Sequence, residues 1–372
     1  MTIGIDASRA FRQVKTGTEW YSWHIIRSLI ELGELRDDQL VLYLNAALSA
    51  DDADVARCKS VALRVLSWPL RHFWTQARLS LEMFIKPPDV LFVPAHAIPL
   101  IHPKRTVTTI HDVGFLRYPQ CYAGKELSNL RFSTAYAMRH ASRIITISEF
   151  SKQEILANYK IDPSGLHVIG LGCDHNQYYP RGIKEVLPAL KKYHVNQPYI
   201  ISVGRIDTRK NTSAVIETFE QMKKSGYPGS LVLIGPLGYG SDAVLAQIGQ
   251  SPVKNHIIHL GWISEEDKIA LICGAEAMLF LSKYEGFGLP VIEAQSCGIL
   301  VVCSRAGALP EVAGDAALYC DAQDKEQCSQ TVLQAISDTA MRARLRDAGF
   351  ANAARYSWRT AAEKVLSVLQ IP

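Results

Sequence analysis

The sequence contains no run of 18 or more apolar residues, so it offers no candidate for a membrane-spanning helix. Its first residues, Met1 to Asp6, read directly as a strand and lack the pattern of a secretory leader. The expectation is a cytoplasmic protein, free or peripheral at the inner membrane face. Charge of one sign is also scarce. A formal net charge of +4 over 372 residues is too mild for a nucleic-acid binder, and no nucleic-acid partner is expected. The eight cysteines, at 58, 121, 173, 273, 297, 303, 320 and 328, form no C-x-x-C pair and no zinc-ligand spacing. Several lie inside apolar runs, which predicts reduced core thiols. No G-x-G-x-x-G fingerprint is present, which disfavours a dinucleotide cofactor.

What is present is a long alternation of short apolar runs and helical patterns. The length exceeds one ordinary core, so two domains of comparable size are expected, 1–180 and 181–356, with a terminal segment 357–372. In the first half, Ile3 to Asp6, Val41 to Leu44, Val61 to Leu66, Asp89 to Val93, Arg105 to Ile110, Ile144 to Ile147 and Leu166 to Ile169 read as strands. Tyr21, Ile25, Leu29 and Leu32 recur at helical spacing, with Gly17 just before that helix. A glycine there either makes a plain turn or lets a phosphate reach free N–H groups. The 71–86 segment, with Arg71, Phe73, Trp74, Arg78 and Phe84, either packs on the sheet or touches a membrane surface. His111-Asp112 falls at a strand's carboxyl end, where it is either structural or placed for acid-base work. Ser148 fits a helix N-cap. The pattern is that of a mostly parallel, doubly wound sheet.

A polar, proline-containing stretch at 178–198 marks the connection to a second such series. Tyr199 to Val203 reads as a strand that delivers Gly204-Arg205-Ile206-Asp207-Thr208-Arg209-Lys210-Asn211. Arginine grips phosphate with two parallel hydrogen bonds and lysine adds a compact charge, so a diphosphate suits this turn. Ser264 is placed to cap a helix. Ala277 to Leu281 is a further strand, followed by Ser282-Lys283-Tyr284-Glu285-Gly286-Phe287-Gly288-Leu289-Pro290 and a helix that carries Glu293. Such a strand-turn-helix aims backbone N–H groups at an anion. The two carboxylates then need hydroxyl partners, or else Glu293 simply favours the helix dipole.

Taken together these segments resemble the family-4 retaining glycosyltransferases of GT-B architecture. Glu285 and Glu293, with seven residues between them that include Gly-Phe-Gly-Leu-Pro, look like that family's paired-glutamate signature. Gly204-Arg205 with Lys210-Asn211 resembles its diphosphate motif, and His111-Asp112, Ser148 to Lys152 and Gly172-Cys173-Asp174 match further landmarks in order. Three departures concern backbone shape: Thr18 stands for the usual second glycine near Gly17, Ile169-Gly170 for a proline-containing approach, and Gly298-Ile299-Leu300-Val301 for Gly-x-Pro-Val.

The resemblance implies α/β architecture, with two Rossmann-like doubly wound domains facing across a cleft and the terminal helix crossing back to the first. It implies that Arg205 and Lys210 hold a donor diphosphate, Glu285 the sugar hydroxyls and Glu293 the ribose. Gly204 and the backbone of Gly286, Phe287, Gly288 and Leu289 would approach the donor, with Ile263 and Lys268 near the base. Gly17 would touch the diphosphate and His111 the transferred sugar. The acceptor would lie against loops such as 94–99 and 114–124. No Asp-x-Asp pair stands at a strand end, and a Lys/Arg clamp makes a divalent cation unnecessary, so no metal or other cofactor is expected. The implied activity is retaining hexosyl transfer from a nucleotide-diphosphate sugar, GDP-mannose in type, to a glycan or lipid-linked acceptor. Another sugar-nucleotide enzyme of this architecture, epimerase or phosphorylase-like, and a non-catalytic binding module are the alternatives.

Overall fold

The computed structural model describes residues 1–33, 40–70 and 73–371. By internal packing the chain divides into two units. The first comprises Met1–Leu116, Gly124–Gly172 and Ser357–Pro372, and the second Arg117–Ala123 and Cys173–Tyr356.

In the first unit, β1 (Ile3–Asp6), β2 (Leu40–Leu44), β3 (Val61–Val65), β4 (Val90–Val93), β5 (Thr106–Thr109), β6 (Arg143–Thr146) and β7 (Leu166–Val168) form one sheet. Their order is β3-β2-β1-β4-β5-β6-β7, and every pairing is parallel. β1 and β4 are buried throughout, as expected where helices cover both faces of a parallel sheet. Helix α1 (Gly17–Glu31) opens with a capping box between Thr16 and Glu19. Helix α2 (Gly124–His140) follows β5, and Ser148 accepts the Ser151 N–H at 3.0 Å to start the helix Glu149–Asn158.

The second unit repeats the scheme with β8 (Tyr199–Val203), β9 (Ser230–Ile234), β10 (Ile257–Gly261), β11 (Ala277–Phe280), β12 (Leu300–Ser304) and β13 (Leu318–Cys320), ordered β10-β9-β8-β11-β12-β13. Its helices include α3 (Thr212–Lys224), α4 (Glu265–Cys273) and α5 (Leu289–Ser296). The last helix, α6 (Trp358–Gln370), returns to the first unit and packs on α1, with Trp358, Ala362, Val365 and Leu369 buried.

In each sheet the winding direction reverses once, between β1 and β4 and between β8 and β11. Ligands of open α/β sheets bind in the crevice at the carboxyl ends flanking such a reversal. The loops so selected are 7–16 and 94–96 in the first unit, and 204–211 and 281–288 in the second.

Several readings of the sequence are corrected here. The second unit starts at Cys173, because residues 173–180 are tied into it: the Tyr178 hydroxyl donates to Glu265, and Ser296 Oγ donates to Tyr178 O at 2.6 Å. Cys320 and Cys328 form a disulfide, so not all eight cysteines are reduced; the other six are free thiols. Trp74 faces inward, its indole N–H on Leu66 O at 2.8 Å, while Phe73 and Phe84 are exposed. Residues Trp74–Leu79 wind as a π-helix before Ser80–Ile85 continue as α. Arg71 and His72 lie outside the described residues.

Candidate active site

The turn after β8 is built by short-range chemistry. Gly204 leaves the strand at φ +152°, Asp207 Oδ1 accepts the Lys210 N–H at 2.7 Å, and Asn211 takes the left-handed conformation (φ 56°) that asparagine tolerates. Asn211 Nδ2 then donates to Leu281 O at 3.0 Å, tying this turn to the one after β11. The result brings Lys210 Nζ to 2.6 Å from Glu285 Oε1 and to 5.0 Å from the centre of the Phe280 ring. Arg209 approaches Glu285 Oε2 at 3.7 Å and donates to Tyr284 O at 3.0 Å. Ser282 Oγ donates to Glu285 Oε1 at 2.7 Å.

Glu285 is buried, which alone raises a carboxyl group's pKa. Lys210 and then Arg209 outweigh burial and hold it below its ordinary value, so it is ionised. Sequence reasoning paired Lys210 with Arg205. That pairing was for a diphosphate; the cation that joins Lys210 at Glu285 is Arg209, while exposed Arg205 lies against Gly238, whose added Cβ would come within 2.4 Å of Arg205 Cδ. Gly204, Arg205, Lys210, Phe280 and Ser282 line one small recess.

Beyond Glu285 the chain turns through Gly286 and Phe287 into α5. Gly288 has φ +102°, a backbone conformation that favours glycine, and a Cβ there would press to 2.6 Å from Leu309 Cδ2. Pro290 occupies the first turn of α5, where a missing N–H costs nothing. Phe287 is buried edge-on to Tyr356, ring centres 5.6 Å apart. The turn after β12 closes on the same segment, with Ala308 N–H on Glu285 O at 2.9 Å.

Glu293, further along α5, is buried and meets Lys268 of α4, Oε2 to Nζ 3.3 Å. Burial raises the Glu293 carboxyl above its ordinary value against the pull of Lys268. Burial pulls the Lys268 ammonium down, but Glu293 and Glu265 prevail and hold it up. Ile263 is buried just before Ser264, whose Oγ accepts the Asp267 N–H at 3.2 Å.

In the first unit, Gly17 is the first residue of α1, and no described atom would come within 4 Å of an added Cβ. His111 is buried at the end of β5, edge-on to Tyr21 with ring centres 4.7 Å apart. Its Nε2 donates to Pro94 O at 3.3 Å. Burial pushes the His111 imidazole down to about 4, so it is neutral near pH 7. Asp112 is occupied elsewhere, accepting the Gly114 N–H at 2.8 Å. Among the described residues no group of three histidine, cysteine or acidic side chains has metal-holding geometry. Sequence reasoning missed Arg209 as the partner of Glu285; only its place beside Lys210 signalled it.

Two parallel doubly wound units, the second with a cation-flanked carboxylate at its sheet reversal, define an α/β protein built of two Rossmann-like units. Residues 16–177 match the family model described as Glycosyltransferase Family 4, and residues 188–351 the model described as Glycosyl transferases group 1. The chain is 31% identical over 272 residues to the O-antigen chain mannosyltransferase B of Escherichia coli, an alignment covering 72% of this chain and 71% of that protein. It is 27% identical over 243 residues to an MMP alpha-(1->4)-mannosyltransferase of Mycolicibacterium hassiacum, covering 62% of this chain and 54% of the relative. The crystal structure of Anabaena HepE in complex with UDP and glucose superposes with a TM-score of 0.75 at 17% identity, covering 100% of both chains, a likeness of fold. The chain belongs to the family-4, group-1 glycosyltransferases and has their GT-B architecture.

Proposed function

We propose that the protein moves a hexosyl unit, mannose favoured, from a nucleotide-diphosphate sugar of the GDP-mannose type to a hydroxyl of a glycan or lipid-linked acceptor, with retention of configuration and without a divalent metal. The observation that carries this reading is buried, ionised Glu285 held between Lys210 and Arg209 at the crevice of the second sheet. A carboxylate fixed there accepts hydrogen bonds from sugar hydroxyls. The Lys210 ammonium has three donors, so one can stay on Glu285 while others meet a diphosphate. Arg205, exposed beside it, supplies a second grip.

In this reading Gly204 and the backbone of Gly286 to Leu289 let the donor approach, Glu293 bonds the ribose, and Ile263 with Lys268 flanks the base. Gly17 serves phosphate and His111 a sugar hydroxyl. The bond from C1 of the sugar to the β-phosphate oxygen breaks as the acceptor oxygen bonds C1 from the same face. The acceptor's proton passes to a phosphate oxygen, and the nucleoside diphosphate departs with its charge on Arg205 and Lys210. Those cations perform the neutralisation a metal would otherwise provide. The mannosyl preference rests on the names of the relatives above. We further place the protein in the cytoplasm, peripheral at the membrane face.

Thermal unfolding with a panel of nucleotide sugars tests the donor. GDP-mannose should raise the midpoint in a saturable way, and more than UDP-glucose does. Protection by a uridine donor alone would overturn the GDP assignment. The absence of both protection and slow hydrolysis with any donor would overturn the transferase reading itself. Transfer should persist in EDTA; a rate that collapses there and returns with Mg²⁺ would sink the metal-free step.

A further inference from the structure

At the carboxyl end of β4, where the winding of the first sheet reverses, His96 holds a ring nitrogen that the protein itself does not use. Its Nδ1 is shielded from solvent and has no hydrogen-bond partner among the described residues. Leaving a buried polar atom unpaired costs about 1–3 kcal/mol, and native proteins seldom tolerate it without a reason. The backbone leading to His96 is held in place. Thr108 Oγ1 lies 3.1 Å from Val93 O and 2.8 Å from Ala95 O, pinning the backbone on both sides of Pro94.

His111 stands alongside, the two ring centres 5.6 Å apart and the planes inclined by 32°. Its Nε2 is committed to the Pro94 carbonyl, an acceptor only, so that nitrogen carries the proton and Nδ1 is left with a lone pair. Burial pushes His96 down to about 3, with His111 and Arg9 adding to the effect, so both rings are neutral at working pH. Two neutral imidazoles suit a group that both donates and accepts, as a hydroxyl does.

We infer that His96, with His111 beside it, forms a hydroxyl-binding recess at this sheet edge, and that the unpaired Nδ1 of His96 hydrogen-bonds a sugar hydroxyl during transfer. This inference rests on the glycosyl-transfer reading above. The hydroxyl belongs either to the transferred hexose or to the acceptor sugar, and kinetics separate the two.

His96→Ala should lower kcat/KM about tenfold, the worth of one hydrogen bond. His96→Asn, whose amide can place a polar atom near the lost Nδ1, should recover part of that loss. Donor hydrolysis without acceptor is the dividing arm. If it falls with transfer, the hydroxyl is the donor sugar's. If it is unchanged while KM for the acceptor rises, the hydroxyl is the acceptor's. A His96→Ala enzyme with wild-type kcat/KM overturns the inference. So does equal impairment of both variants together with lowered unfolding midpoints, which marks a structural role. A wild type that transfers nothing from any donor overturns the underlying reading instead, and the inference with it.

Discussion

At the residue scale, Glu285 and Glu293 sit eight positions apart on one turn and helix yet differ in environment. Glu285 faces two cations and is held ionised, whereas the burial of Glu293 outweighs its single lysine. Removing Lys210 should therefore do two things. It takes a charged donor from the diphosphate, a loss of about 1.5–3 kcal/mol in nucleoside-diphosphate affinity, and it strips Glu285 of its nearest counter-ion. Calorimetry on Lys210→Ala checks the first; an unchanged dissociation constant would refute the clamp. A pH prediction follows from His111. Its folded value, about 4, lies below the ordinary 6.5, so between those limits the unfolded chain takes up a proton that the folded one refuses. Stability should fall as pH drops from 6.5 toward 4. The depressed Glu285 acts in the same direction below its ordinary value, while raised Glu293 works against it. Denaturant titrations at pH 6.5, 5.5 and 4.5 should show this slope, flattened in His111→Asn. An identical slope in that variant would mean that His111 is not buried neutral.

At the element scale, α6 closes over α1 and buries Trp358 within the first unit. Trp358 stacks on His24 with ring centres 4.5 Å apart and planes 5° from parallel, and lies 6.3 Å from the Tyr21 ring. A Cβ on Gly172 would come within 2.2 Å of Trp358 N, so the chain approaches as closely as glycine allows. Trp358→Ala should lower unfolding free energy by about 3–5 kcal/mol, read by denaturant titration. A loss under 1 kcal/mol would show that α6 is dispensable. The strands of both sheets were legible because parallel strands buried on both faces read as plain apolar runs. The paired glutamates and the Gly204–Asn211 turn were legible because glycine and charge cluster where strands end. β13 was not: three residues at a sheet edge carry too little pattern to separate from the alanines before them. The Cys320–Cys328 pairing was also hidden, since an eight-residue separation says nothing until β13 and the helix Lys325–Ser337 bring the thiols together. Which of three neighbouring cations would meet Glu285 depended on the left-handed backbone at Asn211, a conformation that sequence permits but does not dictate.

At the scale of the whole molecule, a net charge of +4 gives little general attraction to an acidic surface, so any membrane contact would have to be local. No described helix is long and apolar enough to cross a bilayer. The first unit nevertheless concentrates exposed apolar side chains: Phe73, Leu81, Phe84, Ile85, Leu100, Ile101 and Phe132, with Phe84 72% exposed. The segments carrying Leu81 to Ile85, Leu100, Ile101 and Phe132 adjoin, since Ile101 N–H donates to Ser80 Oγ at 3.3 Å, Tyr136 donates to Leu100 O at 3.0 Å, and Phe132 stacks on Tyr136. Arg78, which the sequence suggested as part of the basic face, is paired with Glu82 at 3.2 Å. Exposed Lys86, Lys104, Arg131 and Arg139 on the same segments supply the positive charge instead. Each basic residue near an anionic bilayer is worth about 1 kcal/mol, and apolar insertion adds to that. The protein should therefore co-sediment with vesicles containing phosphatidylglycerol and much less with phosphatidylcholine alone. High salt should weaken the binding, and Phe84→Glu with Ile85→Glu should abolish it without lowering donor hydrolysis. Sedimentation that is absent even with phosphatidylglycerol at low salt would remove the membrane from this account. A wild type that dimerises, and a double variant that becomes monomeric, would assign the patch to a second copy of the chain.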